Sequence, residues 1–200
     1  KWPFTIYHKP IEESMAQALK GAHARSASEN RAAEILVFGC GLFHEARLFP
    51  AGCRITLVDS DPRLLEFHQG RPQIADIFIC SNVSELLEKV QGKFDLIIGK
   101  EVIEHIIESL DYLKAFHLLL QPKGVLWLST PNYGNWPLPV IEKTFLEFVA
   151  YCQGFSRKHI HPNKFSDTKL DHELRCAGFS ELRLEKTPLS LALIAEARKF

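Results

Sequence analysis

The chain has 200 residues, 46% of them hydrophobic and 24% charged, enough for the core of one sizeable α/β domain. Lysine plus arginine equal aspartate plus glutamate at 24 each, so the formal net charge is zero. That balance excludes the broad positive field of a dedicated duplex-DNA binder, and no apolar run approaches the ~20 residues that cross a membrane.

Residues 1–34 are polar and helix-prone, with Ile11, Met15, Ala18 and Leu19 at helical spacing. They read as an N-terminal helical flank covering one edge of the core, with residues 35–200 as the main domain. From residue 35, apolar strand-like runs alternate with helical stretches. The strands are 35–38, 54–58, 77–80, 96–99 and 125–129; the helices between them are 43–49, 62–69, 83–90 and 109–120. This alternation predicts βαβ units and a doubly wound, mostly parallel Rossmann-like sheet. Gln121-Pro122-Lys123-Gly124 predicts a turn before the fifth strand.

Residues 131–165 break the rhythm with four prolines and one of the three tryptophans, Trp136. Within them Ile141, Phe145, Phe148, Val149 and Cys152 predict one helix, and the whole segment reads as an insertion over the carboxyl ends of the strands. A helix over 166–177 follows, ended by Gly178. Residues 181–186 and 189–198 then predict two closing strands, the last antiparallel. Cys40, Cys53, Cys80, Cys152 and Cys176 lie far apart with no paired motif, which suits reduced thiols in the cytoplasm. No signal peptide is evident, and an opening Lys1 in place of methionine leaves room for sequence upstream.

The chemistry-bearing stretch is Ile35-Leu36-Val37-Phe38-Gly39-Cys40-Gly41, followed by Ile55-Thr56-Leu57-Val58-Asp59. A strand enters a Gly-x-Gly turn, and a second strand ends on a carboxylate 20 residues after Gly39. This is the layout of a nucleotide-type cofactor site: glycines let backbone approach the ligand, and the acid accepts ribose hydroxyls. After the fourth strand come Glu101, Glu104 and His105, spaced so that a helix would put them on adjoining faces. His105 has the chemistry of a general base at neutral pH, or of a residue that shapes the pocket.

With those parts in order, the chain resembles the class I S-adenosylmethionine-dependent methyltransferases over residues 33–199. The resemblance rests on Ile35–Gly41, Val58-Asp59, Phe94–Ile98, Glu101–His105, Leu119–Leu126, Ser129-Thr130-Pro131-Asn132, and Phe165-Ser166 leading to Ala177-Gly178-Phe179. It implies S-adenosylmethionine as cofactor and S-adenosylhomocysteine as product. The turn Gly39-Cys40-Gly41 would lie against the methionine part. Asp59, beside Ser60, would hold the ribose, and Asn82 with Val83 would bracket the adenine. Lys100 and Glu101 would stand beside the sulfonium. His105 and His161, or His159, would serve as base or orienting groups toward an oxygen or nitrogen of a small-molecule acceptor.

Two departures stand out: Val37 occupies a position where the family usually has an acid, and Phe43 one where it has a third glycine. They motivate a second reading, a catalytically silent methyltransferase-like binding module. The segment Glu101-x-x-Glu104-His105 also resembles the small-RNA 3′-terminal 2′-O-methyltransferases, in which these residues and a later histidine hold a divalent cation. The downstream His161-Pro162-Asn163-Lys164-Phe165-Ser166 fits a metal-free pattern better, so no metal is assigned and RNA is the less favoured partner. Arg157, Lys158, His159 and Lys164, near Tyr133, Trp136 and Phe155, suit an anionic ligand or a solvated loop equally. A nicotinamide-dependent oxidoreductase is less favoured, because no third glycine follows Gly41.

Overall fold

The computed structural model describes residues 4–68, 70–135 and 161–200. The expected helix at Ile141–Cys152 and the aromatic and basic residues from Trp136 to His159 lie outside them. Seven strands form one sheet: β1 (Glu34–Phe38), β2 (Arg54–Asp59), β3 (Ile74–Ile79), β4 (Phe94–Lys100), β5 (Leu120–Pro131), β6 (Glu181–Lys186) and β7 (Ala192–Arg198). Their order is β3-β2-β1-β4-β5-β7-β6. The first five run parallel, and β7 inserts antiparallel between β5 and β6. The direction of winding reverses between β1 and β4, so the crevice at their carboxyl ends is where such a sheet binds ligands.

The two faces are covered by different helices. In β1, Leu36 and Phe38 face a core shared with α3 (Val83–Lys89), α4 (Ser109–Leu119) and α5 (Asp167–Cys176). Ile35 and Val37 face the other core, with α1 (Phe4–Ser28) and α2 (Arg63–His68). This period-two alternation within an apolar run is what a strand buried on both faces requires. Ile11, Met15 and Leu19 of α1 are buried at four-residue spacing, each contributing about 2 kcal/mol of apolar burial. Trp127 of β5 donates its indole N–H to Ser14 of the same helix at 3.1 Å.

Several expectations are corrected. The N-terminal flank does not cover an edge: α1 packs on β4, β5 and β7 in the middle and far half of the sheet. The segment after the glycine turn is a 3-10 turn, His44–Leu48, entered from Phe43 in a left-handed conformation (φ 47°). The Gln121–Gly124 turn is absorbed into β5 as an irregularity in register with β4, with Lys123 at φ 66°. The last strand starts at Ala192, since Leu189 and Ser190 have φ of 61° and 53° and form a turn.

Candidate functional site

The glycine turn is built by constraints that the pattern of glycines alone does not reveal. Gly39 has φ 66°, and a Cβ there would meet Val102 Cγ2 at 2.4 Å, so its glycine is required by the chain's own β4–α4 connection. Gly41 has φ 48°, and a Cβ there would meet nothing within 4 Å. Its missing side chain therefore leaves open space at the crevice. The carboxylate of Asp59 holds the turn: Oδ2 accepts from Gly41 N at 2.9 Å, and Oδ1 from Ser60 N and Asp61 N at 2.7 and 3.1 Å. Three of about four lone-pair positions are thus engaged, leaving Oδ2 able to accept one ligand hydroxyl with the turn intact.

From the opposite side, His68 bonds to the Gly41 carbonyl at 2.8 Å through Nε2, which must carry the proton because a carbonyl only accepts. Phe43 lies beneath the turn, buried, with its ring edge-on to Phe49 and near His68. Phe43 therefore pays for a left-handed backbone, about 1–2 kcal/mol, with apolar packing. Its ring forms part of the wall of a cavity beside the turn.

Two cavities meet at Gly39. One, of about 460 Å³, is walled by Phe38, Gly39, Gly41, Asp59, Ser60, Cys80, Ser81, Glu101 and His105 among others. The second, of about 270 Å³, is walled by Val37, Gly39, Cys40, Phe43, Glu45, Lys100 and Glu101, with His8 and Met15 of α1 closing it. Together they have the size of a small-molecule pocket. Gly39, Gly41, Asp59, Ser60, Glu101 and His105 thus line the larger cavity together, with Cys40 and Lys100 on the adjoining one. Burial pushes the Cys40 thiol up to about 12, with the Asp59 charge acting in the same direction; it is no thiolate nucleophile.

Asn82 and Val83 stand outside both walls. Asn82 Oδ1 accepts from Glu85 N at 2.9 Å as the N-cap of α3, while Val83 packs against the core. Cys80 and Ser81, just upstream, take the wall position instead.

The acids after β4 are arranged differently from the helical face the spacing predicts. Only Ile103–His105 form a 3-10 turn, and Glu101 has φ 51°. This sends Glu101 and Glu104 to different partners. Glu101 accepts from Tyr7 Oη at 2.5 Å and from Ser129 Oγ at 2.9 Å. Glu104 is 1% exposed and accepts from Thr130 Oγ1 at 3.0 Å. Burial raises both carboxyls, Glu104 to about 8, with the neighbouring Glu101 charge adding to that second shift.

His105 stacks edge-on against His161 with ring centroids 4.7 Å apart, and Tyr133 Oη bonds to His161 Nδ1. Asn163 fixes the later segment in place: its backbone N–H donates to Glu104 O at 3.1 Å, and its Nδ2 to the carbonyls of Ile106 and Ile107. Glu104, His105 and His161 each bring one potential donor atom within 4.8 Å of the others. Tyr7, Glu45, His68 and Asn163 were not singled out from sequence. Tyr7 lies 94 residues from its partner Glu101 and Asn163 57 residues from Ile106, so no local pattern could find them.

Residues 10–184 match the family model described as a methyltransferase domain. The chain is 31% identical over 105 residues to a ubiquinone biosynthesis O-methyltransferase from Xanthomonas campestris, covering 50% of this chain and 44% of that protein. It is 24% identical over 186 residues to human thiol S-methyltransferase TMT1B, covering 88% and 68% respectively. Among solved structures, a Burkholderia thailandensis 1,6-didemethyltoxoflavin N1-methyltransferase with bound S-adenosylhomocysteine superimposes with a TM-score of 0.58 at 20% identity, over 98% of this chain and 84% of that one. The chain spans about half the length of the ubiquinone-pathway relatives it matches.

Proposed function

The chain belongs to the methyltransferase-domain family matched over residues 10–184, and on that premise we propose that it transfers a methyl group from S-adenosylmethionine to a small-molecule acceptor. One observation carries the reading: the glycine turn, clamped by the Asp59 carboxylate, opens onto two cavities that meet at Gly39. These residues fit the cofactor. Gly41 leaves unfilled space, Asp59 keeps an acceptor position, and the charged Glu45 and Lys100 stand at the far cavity.

When bound, the cofactor would supply an electrophilic sulfonium methyl, to which an acceptor lone pair can bond as the carbon–sulfur bond breaks and S-adenosylhomocysteine leaves. Asp59 orients the ribose, and the backbone of Gly39–Gly41 supports the methionine part. His105, on the wall of the larger cavity and stacked against His161, takes the proton of a hydroxyl, amine or thiol acceptor. Tyr7 and α1 close the site from above β4 and keep water from the reacting atoms. The relatives are named for oxygen and sulfur acceptors, and a structural neighbour for a nitrogen acceptor, so an acceptor screen should hold all three. The free thiols Cys40, Cys53, Cys80 and Cys176 support a reducing compartment such as the cytoplasm.

Calorimetric titration with S-adenosylmethionine and S-adenosylhomocysteine, with NAD as control, tests the reading. Saturable binding of the first two alone is expected; no binding of either overturns it in favour of a silent binding module. Transfer that a chelator abolishes would instead assign Glu104, His105 and His161 to a divalent cation.

A further inference from the structure

Inside β1, Val37 offers no acid to the smaller cavity, yet that cavity is the one walled by a pair of opposite charges. Glu45 from the 3-10 turn and Lys100 at the end of β4 meet there in an ion pair, their side chains 20% and 21% exposed. The two charges are therefore half-withdrawn from water and face a volume large enough for a short zwitterion. Resting on the cofactor reading above, we propose that the Glu45–Lys100 pair grips the amino-acid end of the cofactor, Glu45 taking the ammonium and Lys100 the carboxylate. It replaces the acid that β1 lacks at Val37.

The physical basis is charge exchange. An α-amino acid end carries one positive and one negative group about as far apart as the two members of this pair. On binding, each protein charge keeps an opposite neighbour and gains a second, so no charge is left unpaired in a partly dehydrated cavity. The alternative acid on the same wall, Glu101, is poorly suited to hold an ammonium. Its partners are the Tyr7 and Ser129 hydroxyls, and burial raises its carboxyl, which disfavours the charged form an ammonium needs. Glu45 differs: burial acts against its charge, but the Lys100 ammonium holds it ionised and below the usual carboxylate range.

Geometry supports the direction of the ligand. Asp59, Ser60 and Ser81 wall the larger cavity and suit a nucleoside, Gly39 lies at the junction, and the ion pair lies beyond it. An extended molecule that places ribose at Asp59 and passes over Gly39 delivers its other end to Glu45 and Lys100.

The test compares S-adenosylhomocysteine with 5′-methylthioadenosine, which keeps the nucleoside and the thioether but lacks the amino-acid group. In calorimetric titration the wild type should bind S-adenosylhomocysteine at least about tenfold more tightly. Glu45→Gln and Lys100→Met should each weaken S-adenosylhomocysteine by about tenfold and leave methylthioadenosine within about twofold. The double variant should lose less than the product of the two single losses, as coupled partners do. Equal losses for both ligands in a folded variant, or unchanged S-adenosylhomocysteine affinity, overturn the assignment. If a variant fails to fold, the wild-type comparison decides alone. Equal wild-type affinity for the two ligands sinks the ion-pair grip and leaves the nucleoside site standing, whereas no binding of either brings down the cofactor reading and the grip together.

Discussion

Strand β4 has a buried acid near each end, and the protein treats the two in opposite ways. At the amino end Asp95 is gripped by the Arg31 guanidinium through two hydrogen bonds, 2.6 and 2.7 Å, and by the Glu34 N–H at 2.9 Å. Burial would raise its carboxyl, but these donors hold it below the usual range. At the carboxyl end Glu101 and Glu104 sit within a few residues of each other, with hydroxyl donors from Tyr7, Ser129 and Thr130 and the His105 ring 4.0 Å from Glu104. Their carboxyls are pushed up, to about 8 for Glu104. One end of the strand is satisfied and structural. The other keeps carboxyls whose charged form burial disfavours, with Glu101 on the wall of both cavities, the pattern of a site whose electrostatics serve a ligand.

The sharpest way to break this contrast is Asp95→Asn. It leaves the Arg31 guanidinium facing a neutral amide and should destabilise the fold by about 3 kcal/mol in urea denaturation. Because the folded carboxyl lies below its ordinary value of 3.8, its stabilisation is complete above that pH and is lost on acidification. Cofactor affinity of the folded fraction should not change, since the clamp lies at the end of β4 remote from the cavities. A loss of affinity without a loss of stability would reverse the assignment of the two ends.

How much of this was readable follows the same division. The apolar runs of β1, β2, β4 and β5, the Gly39–Gly41 turn and the Asp59 carboxylate are local patterns, and they led to the fold and to one wall of the site. Ile11, Met15 and Leu19 exposed the buried face of α1 but could not name what it covers, because a helical stripe records only that an apolar partner exists. The Asp95 clamp joins residues 64 apart and the Tyr7–Glu101 bond residues 94 apart. Such pairings arise from packing, and neither partner carries a local mark of the other. Backbone detail was hidden for a related reason. Phe43 and Glu101 adopt left-handed angles that neither residue type favours, so tertiary contacts overrode propensity where the turn meets the cavities.

Asp59 joins the two kinds of chemistry, and this sharpens the comparison. Sequence reasoning expects Asp59→Ala to weaken cofactor binding and leave the fold intact. Its carboxylate also accepts three backbone N–H groups that hold the glycine turn. The substitution should therefore lower stability by about 2 kcal/mol and reduce S-adenosylhomocysteine affinity by about tenfold or more. Thermal melting and titration on the same preparation separate the two effects. Asp59→Asn, which keeps an acceptor for Gly41, should recover part of the stability and little of the affinity. Full stability in the alanine variant would show that the turn holds itself.

The smallest expected effect concerns Glu104, and its sign runs opposite to that of Asp95. Its folded carboxyl titrates at about 8 against an ordinary 4.5, so between those values the folded chain keeps a proton that the unfolded chain releases. Stability must then fall as pH rises through this window and level off above it. Side-chain relaxation and water entry leave about 1 kcal/mol of the loss measurable between pH 6 and 9. Glu104→Gln removes the titrating proton while keeping an acceptor for Thr130, so its stability should be nearly flat over that range and exceed the wild type's at the alkaline end. Identical slopes in both proteins would place the carboxyl in its ordinary ionised state and erase the difference between the ends of β4. A flat variant beside a sloping wild type fixes Glu104 as a buried acid kept protonated under the site, held against β5 by the Thr130 hydroxyl.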